Sequence, residues 1–147
     1  MLGSIKGIGE VDKHTVPCLD WDDIQILDKH PLITVGAHTN YHSILSAENE
    51  ETARSEIMKS KQLLESYLEH PVEHFAYPFG TRQEAGLREY KLAQECGFKT
   101  ASTTCCFRAN VTHLFKLPRY GVTDSISPVE IKTRIGGLSN FFGKQLV

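Results

Sequence analysis

The chain is predicted to be an α/β protein built on parallel strands. Apolar, β-branched runs alternate with helical runs along its length, the pattern of a layered α/β fold. The strand-like runs are continuously apolar, as expected of strands covered on both faces. Capping signatures mark several helix starts.

Residues 1–17 are Gly-rich and weakly patterned, which predicts a loop or a stray strand end. Asp20 is placed as the N-cap of a short helix, with Asp22 and Asp23 in its first turn, where carboxylates favour the positive end of the helix dipole. Ile24, Ile26 and Leu27 give it an apolar side, and it stops near Lys29-His30-Pro31. Leu32-Ile33-Thr34-Val35-Gly36 is predicted as a buried strand running into Ala37-His38-Thr39-Asn40-Tyr41-His42. Ser46 is placed as the cap of a long helix whose buried face carries Ala53, Ile57, Leu64 and Leu68, with Lys61 snorkelling from its edge.

Residues 72–77 form the next expected strand, ended by Pro78-Phe79-Gly80. Thr81-Arg82-Gln83-Glu84 has capping-box spacing and is expected to open a helix through Leu87, Tyr90 and Ala93 that ends at Gly97. A strand is expected over 98–104 and another within 114–122, interrupted by Pro118. Ser127-Pro128-Val129-Glu130, with Pro at the first helical position, starts the last helix. Pattern alone leaves an open parallel sheet and a partial β/α barrel equally open. In both, functional groups gather at the C-terminal ends of the strands.

With 147 residues the chain fits one domain. A net charge of −2 without a basic block argues against nucleic acid as a main partner, since phosphate binding needs clustered cations. No apolar run approaches the ~18 residues of a membrane span. The first residues lack the pattern of a signal peptide. Cys18, Cys96, Cys105 and Cys106 form no C-x-x-C pair and are expected to stay reduced.

The sharpest chemical signal is the pair His38 and His42, just past a predicted buried strand. Spacing of four puts two imidazoles on one face of a helical turn, close enough to share a metal. Two histidines are an incomplete set, because a catalytic zinc normally takes three protein ligands.

The surroundings of the pair sharpen this reading. Gly36-Ala37-His38-Thr39-Asn40-Tyr41-His42-Ser43-Ile44-Leu45 resembles the G-x-H-(S/T)-x-x-H-x-x-L motif of the polysaccharide deacetylase family, carbohydrate esterase family four. Trp21-Asp22-Asp23-Ile24 resembles the helix that precedes that motif. Phe75-Ala76-Tyr77-Pro78-Phe79-Gly80 is similar to the F-A-Y-P-(F/Y)-G motif. Gly97-Phe98-Lys99-Thr100-Ala101 and Leu117-Pro118-Arg119 resemble signatures of one bacterial branch. The resemblance runs over about residues 21–122.

The resemblance implies a distorted β/α barrel and removal of acetyl groups from N-acetylated or O-acetylated polysaccharide. It implies a divalent metal, zinc first, held by His38 and His42. It assigns the backbone N–H of Phe79 to the tetrahedral oxyanion and places Tyr77, Pro78 and Phe79 along a substrate groove. Relatives in this family are often cell-envelope or secreted proteins.

Three departures accompany the match. The T-F-D-D motif, source of the general base and the third metal ligand, has no counterpart, so the domain is expected to lack the family's first strand. Asp22-Asp23 is assigned to a helix start, and Asp12, Asp20 and Asp124 to turns or caps. The groove arginine ahead of Y-P is replaced by His74-Phe75-Ala76, leaving Arg119 either to hold a carboxylate in its place or to form an ordinary ion pair. The family's late L-x-H acid has no clear match; His113 is the nearest imidazole. The alternative to an enzyme is therefore a non-catalytic remnant that binds glycan or metal. A missing strand would leave an open sheet edge, and with it a route to homo-oligomers.

Overall fold

The computed structural model describes residues 18–105, 113–123 and 125–135. The chain divides into two compact units, Met1–Thr34 and Val35–Val147.

In the first unit, helix α1 spans Trp21–Asp28. Asp20 caps it as predicted. Its carboxylate accepts from the Asp23 N–H at 2.9 Å, and Asp23 accepts in return from the Asp20 N–H at 3.2 Å. Both side chains are thereby committed to the helix start.

The second unit holds α2 (Glu50–Leu68), β1 (His74–Ala76), α3 (Leu87–Glu95), β2 (Thr100–Thr103), β3 (Leu117–Pro118) and α4 (Pro128–Ile135). The strands form an open parallel sheet in the order β1-β2-β3, with Phe75 opposite Ala101 and Thr103 opposite Pro118. Ala37 pairs with Phe75 on the other edge of β1, also in parallel. Pro118 lies on the last strand of this order, where a missing N–H breaks no ladder. The parallel α/β architecture expected from the sequence is the one observed.

Several boundaries differ from expectation. The strand expected over Leu32–Gly36 is reduced to the single bridge at Ala37. Leu32 is 89% exposed. β-branched residues make a strand only where a neighbouring backbone completes the ladder, and here that neighbour reaches Ala37 alone. Ser46 does not cap the long helix. It lies in a 3-10 turn, Leu45–Ala47, and the cap is Asn49, whose Oδ1 accepts from the Thr52 N–H at 2.9 Å. Half of the Thr81–Glu84 box forms, with Glu84 accepting from the Thr81 N–H at 3.0 Å, while Thr81 Oγ1 accepts from the Gln83 N–H at 3.2 Å. It closes a turn, however, and α3 begins only at Leu87, after Gly86.

The core joins Ala53 and Ile57 of α2, Leu92 and Ala93 of α3, and Phe75, Phe98 and Ala101 at the sheet. Full burial of an Ile57- or Leu92-sized side chain contributes about 1.5–3 kcal/mol. Leu64 and Leu68 pack partly buried against this core. Lys61 snorkels as expected, its Nζ donating to Glu65 at 2.6 Å and to the Val72 carbonyl at 2.5 Å while lying 4.9 Å from the Phe98 ring centroid. Cys18, Cys96 and Cys105 are free, and Cys106 lies outside the described residues.

Gly97 ends α3 as predicted, at φ +81, with its N–H on the Gln94 carbonyl (3.0 Å) and the Phe98 N–H on that of Ala93 (3.3 Å). An added Cβ would meet nothing within 4 Å. Gly97→Ala should therefore cost only the intrinsic left-handed penalty, about 1–2 kcal/mol, read from urea unfolding. Burial pushes the Cys96 thiol pKa up, so Cys96 should resist alkylation until the chain unfolds while exposed Cys18 reacts freely.

Candidate functional site

The site grows from the C-terminal end of the sheet. The Ala37 N–H donates to the His74 carbonyl at 2.9 Å, and the Ala76 N–H donates to the Ala37 carbonyl at 2.8 Å. The next residue, His38, is thereby delivered beside the end of β1. Its Nδ1 lies 2.6 Å from the Ala76 carbonyl. A carbonyl only accepts, so Nδ1 carries the proton and Nε2 of the neutral ring keeps its lone pair. Burial lowers the His38 pKa, the Ala76 hydrogen bond opposes this, and the nearby Arg119 and His42 side chains lower it further.

The chain then turns sharply. Thr39 (φ +63) and His42 (φ +58) both adopt left-handed backbone, unusual for residues with a Cβ. The turn brings the His42 ring to a centroid distance of 4.9 Å from His38, at an interplanar angle of 72°. His42 also meets the Phe79 ring edge-on at 5.0 Å. The structure therefore brings His38, His42 and Phe79 together, by a strained loop rather than by the helical turn that spacing suggests.

Two charged side chains outside the motifs hold this loop. Glu56 on α2 accepts the Tyr41 N–H at 2.9 Å and the Ser43 hydroxyl at 3.1 Å, both on Oε2. Arg88 on α3 donates to the carbonyls of Leu45 (2.6 Å) and Glu48 (3.0 Å), and pairs with buried Glu89 at 2.8 Å. Motifs did not mark either residue. The signal for Glu56 was its place between Ala53 and Ile57 on the buried stripe of α2, where a carboxylate needs donors.

The Tyr77-Pro78-Phe79-Gly80 turn forms the second wall. Tyr77 and Pro78 are fully buried. Their surfaces are taken up by packing within the chain, beneath the turn. The Tyr77 ring packs against Phe75 (5.1 Å) and Tyr90 (5.6 Å), and its hydroxyl donates to the Phe115 carbonyl at 3.2 Å. Phe79 is 49% exposed at φ +57. Its carbonyl accepts from the Thr104 hydroxyl at 2.7 Å, and its N–H has no partner among the described residues.

Arg119 donates to the Tyr77 carbonyl at 2.8 Å, beneath this turn, and burial lowers its pKa. Among the described residues it forms no ion pair, so neither role expected of it, carboxylate holder or ion-pair partner, is seen there. His113 is exposed, its carbonyl accepting from the Lys116 N–H at 2.9 Å, and it does not join the ring cluster. Asp12 and Asp124 lie outside the described residues.

Two observations test the fit to a metal ion. The His38 ring is held in the tautomer a ligand needs, with its second nitrogen anchored on a backbone carbonyl. On the next residue, the buried Thr39 Oγ1 has no partner among the described residues, and a polar group bound there would satisfy it. Against this, no group of three or more His, Cys, Asp or Glu converges among the described residues. The residues present fit two positions of a coordination set.

This parallel α/β scaffold places the paired histidines beside the end of β1 and the aromatic turn directly after it. The chain belongs to the polysaccharide deacetylase family, whose model matches residues 6–101, more than half of its length. No curated protein matches it significantly by sequence. Among solved structures, it is similar to the Streptococcus pyogenes deacetylase PplD in complex with acetate, at TM-score 0.71 and 20% identity over 83% of this chain and 53% of that one. It also resembles BC0361, a polysaccharide deacetylase from Bacillus cereus (TM-score 0.65, 21% identity, 83% of this chain and 38% of that one). IcaB from Ammonifex degensii is a third (TM-score 0.59, 21% identity, 78% and 52%). The chain thus spans about half, or less, of the length of these relatives.

Gly80 is the tightest point of the aromatic turn. At φ +72, an added Cβ would lie 3.0 Å from the Thr104 nitrogen and 3.1 Å from the Tyr77 carbonyl oxygen. Gly80→Ala should therefore destabilise by more than Gly97→Ala, on the order of 3 kcal/mol in urea unfolding, because steric overlap adds to the left-handed penalty. Equal costs would mean that the turn yields freely.

Proposed function

We propose that this domain acts in the hydrolysis of acetyl groups from N-acetylated or O-acetylated polysaccharide, with His38 and His42 as ligands of a divalent metal. The observation that carries the reading is the histidine pair 4.9 Å apart at the strand end, with one imidazole locked as an Nε2 ligand, in a chain of this family. Imidazole donors favour zinc among the available ions. When bound, such an ion supplies Lewis-acid polarisation of an acetyl carbonyl and a lowered pKa for water.

The chain's own residues supply the rest. The Ala76 carbonyl holds the Nδ1 proton of His38, so the ring presents an unprotonated Nε2. The left-handed turn at Phe79 leaves its N–H available to a developing oxyanion, a contribution of a few kcal/mol when such a donor is preorganised. Thr104 and Arg119 hold that turn through the Phe79 and Tyr77 carbonyls. The exposed Phe79 ring offers apolar surface beside His42, suited to an acetyl methyl or a sugar face.

Among the described residues no carboxylate completes a group of three with the pair. General-base assistance contributes about 10²–10⁴ in rate, so a site without such a carboxylate should turn over more slowly than a complete one by that order. A second reading has its own support: Tyr41 (80% exposed) and Phe79 flank the pair and suit glycan binding without catalysis.

Zinc titration combined with acetate release from acetylated chito-oligosaccharides separates these readings. The enzyme reading expects one zinc per chain and acetate release, both lost in His38→Ala and His42→Ala with circular dichroism unchanged. Glycan binding that survives a chelator, without acetate release, would support the binding module. Variants with unaltered zinc affinity would sink the metal assignment.

A further inference from the structure

The loop that carries the paired histidines has little regular structure to hold it. Between the Ala37 bridge and the 3-10 turn at Leu45 it makes no ladder bonds and contains two left-handed residues. Such a backbone relaxes unless its surroundings over-determine it. The tether on the stretch around His42 comes from a helix, not from the loop itself. Glu56 is 8% exposed and projects from the buried face of α2. Its Oε2 takes the Tyr41 N–H from one side of His42 and the Ser43 hydroxyl from the other. One carboxylate oxygen thus clamps both neighbours of the second histidine.

We propose that Glu56 is a positioning residue, whose carboxylate fixes the His42 side of the pair so that both imidazoles face one ion. This rests on the reading of His38 and His42 as metal ligands. Glu56 itself makes no hydrogen bond to either ring. It acts by holding the backbone of Tyr41 and the side chain of Ser43, which sets where His42 leaves the chain. The Arg88 tether to Leu45 and Glu48 fixes the far end of the same loop, so freeing the middle alone would let His42 swing away from His38.

The test uses the whole chain and zinc as the probe, with affinity measured by chelator competition under conditions where circular dichroism shows a folded protein. Amide hydrogen exchange at Tyr41 is followed in parallel on metal-free protein. Glu56→Ala should weaken zinc about 10–100-fold, the usual cost of losing support behind a ligand, and speed Tyr41 exchange at least about tenfold. Glu56→Gln keeps an oxygen that accepts both bonds and should stay within about threefold of wild type. Leu64→Ala, on the same helix but away from the loop, should lower stability and leave zinc affinity unchanged. Wild-type zinc affinity and wild-type Tyr41 exchange in folded Glu56→Ala overturn the proposal. If that variant does not fold, Ser43→Ala removes one tether without touching α2, and unchanged affinity and exchange there overturn it equally. A wild-type chain that binds no zinc overturns the metal reading instead, and Tyr41 exchange then decides whether Glu56 holds the loop.

Discussion

The two hydrogen bonds that Ala37 exchanges with β1 carry the rest of the site. They are ordinary parallel-sheet bonds, 2.9 and 2.8 Å long. Their position matters because Ala37 precedes His38 and Ala76 precedes Tyr77. One short ladder therefore fixes where the histidine loop and the aromatic turn both leave the sheet. The Ala76 residue serves twice, its N–H in the ladder and its carbonyl on His38 Nδ1. Loss of that pairing would free the first histidine and its tautomer together.

Backbone strain concentrates where this ladder ends. Of the described residues other than glycine, four have positive φ: Thr39, His42, Glu69 and Phe79. Three of them belong to the site. Left-handed backbone costs about 1–2 kcal/mol per residue with a Cβ. Polar partners offset that cost here, with buried Glu56 under the histidine loop and the partly exposed Thr104 and Arg119 at the aromatic turn. The strain has a geometric result. It turns the His42 ring toward both His38 and Phe79, which a relaxed extended chain would carry past each other.

The core explains how so small a sheet bears this load. Phe75 and Tyr77 flank the Ala76 position and bury their rings against Phe98 and Tyr90. Rings packed at these distances move only together, so the strand end is rigid although β1 itself has three residues. Tyr77 and Pro78, conspicuous in the sequence as part of an aromatic motif, spend their whole surface on this rigidity. Of the three, Phe79 alone turns outward to solvent.

Much of the fold was legible because its signals are local. Periodicity placed α2 and α3, Asp20 and Gly97 marked helix ends by their own backbone chemistry, and apolar runs located β1 and β2. The spacing of His38 and His42 and the Tyr77–Gly80 motif named the residues of the candidate site. Tertiary structure decided what needs a partner from elsewhere in the chain. Leu32–Gly36 has strand composition, yet the single bridge there falls on the following residue, Ala37, because a ladder requires a second backbone alongside. Asn49 rather than Ser46 caps α2, because the 3-10 turn had already used the nearer residue. Glu56, Arg88 and Arg119 matter through hydrogen bonds to residues 13 or more positions away, and no local pattern records such distances. Sequence by itself thus determined which groups are present and which elements they sit on. The three-dimensional packing determined where they meet, because long-range hydrogen bonds exist only once the chain has closed on itself.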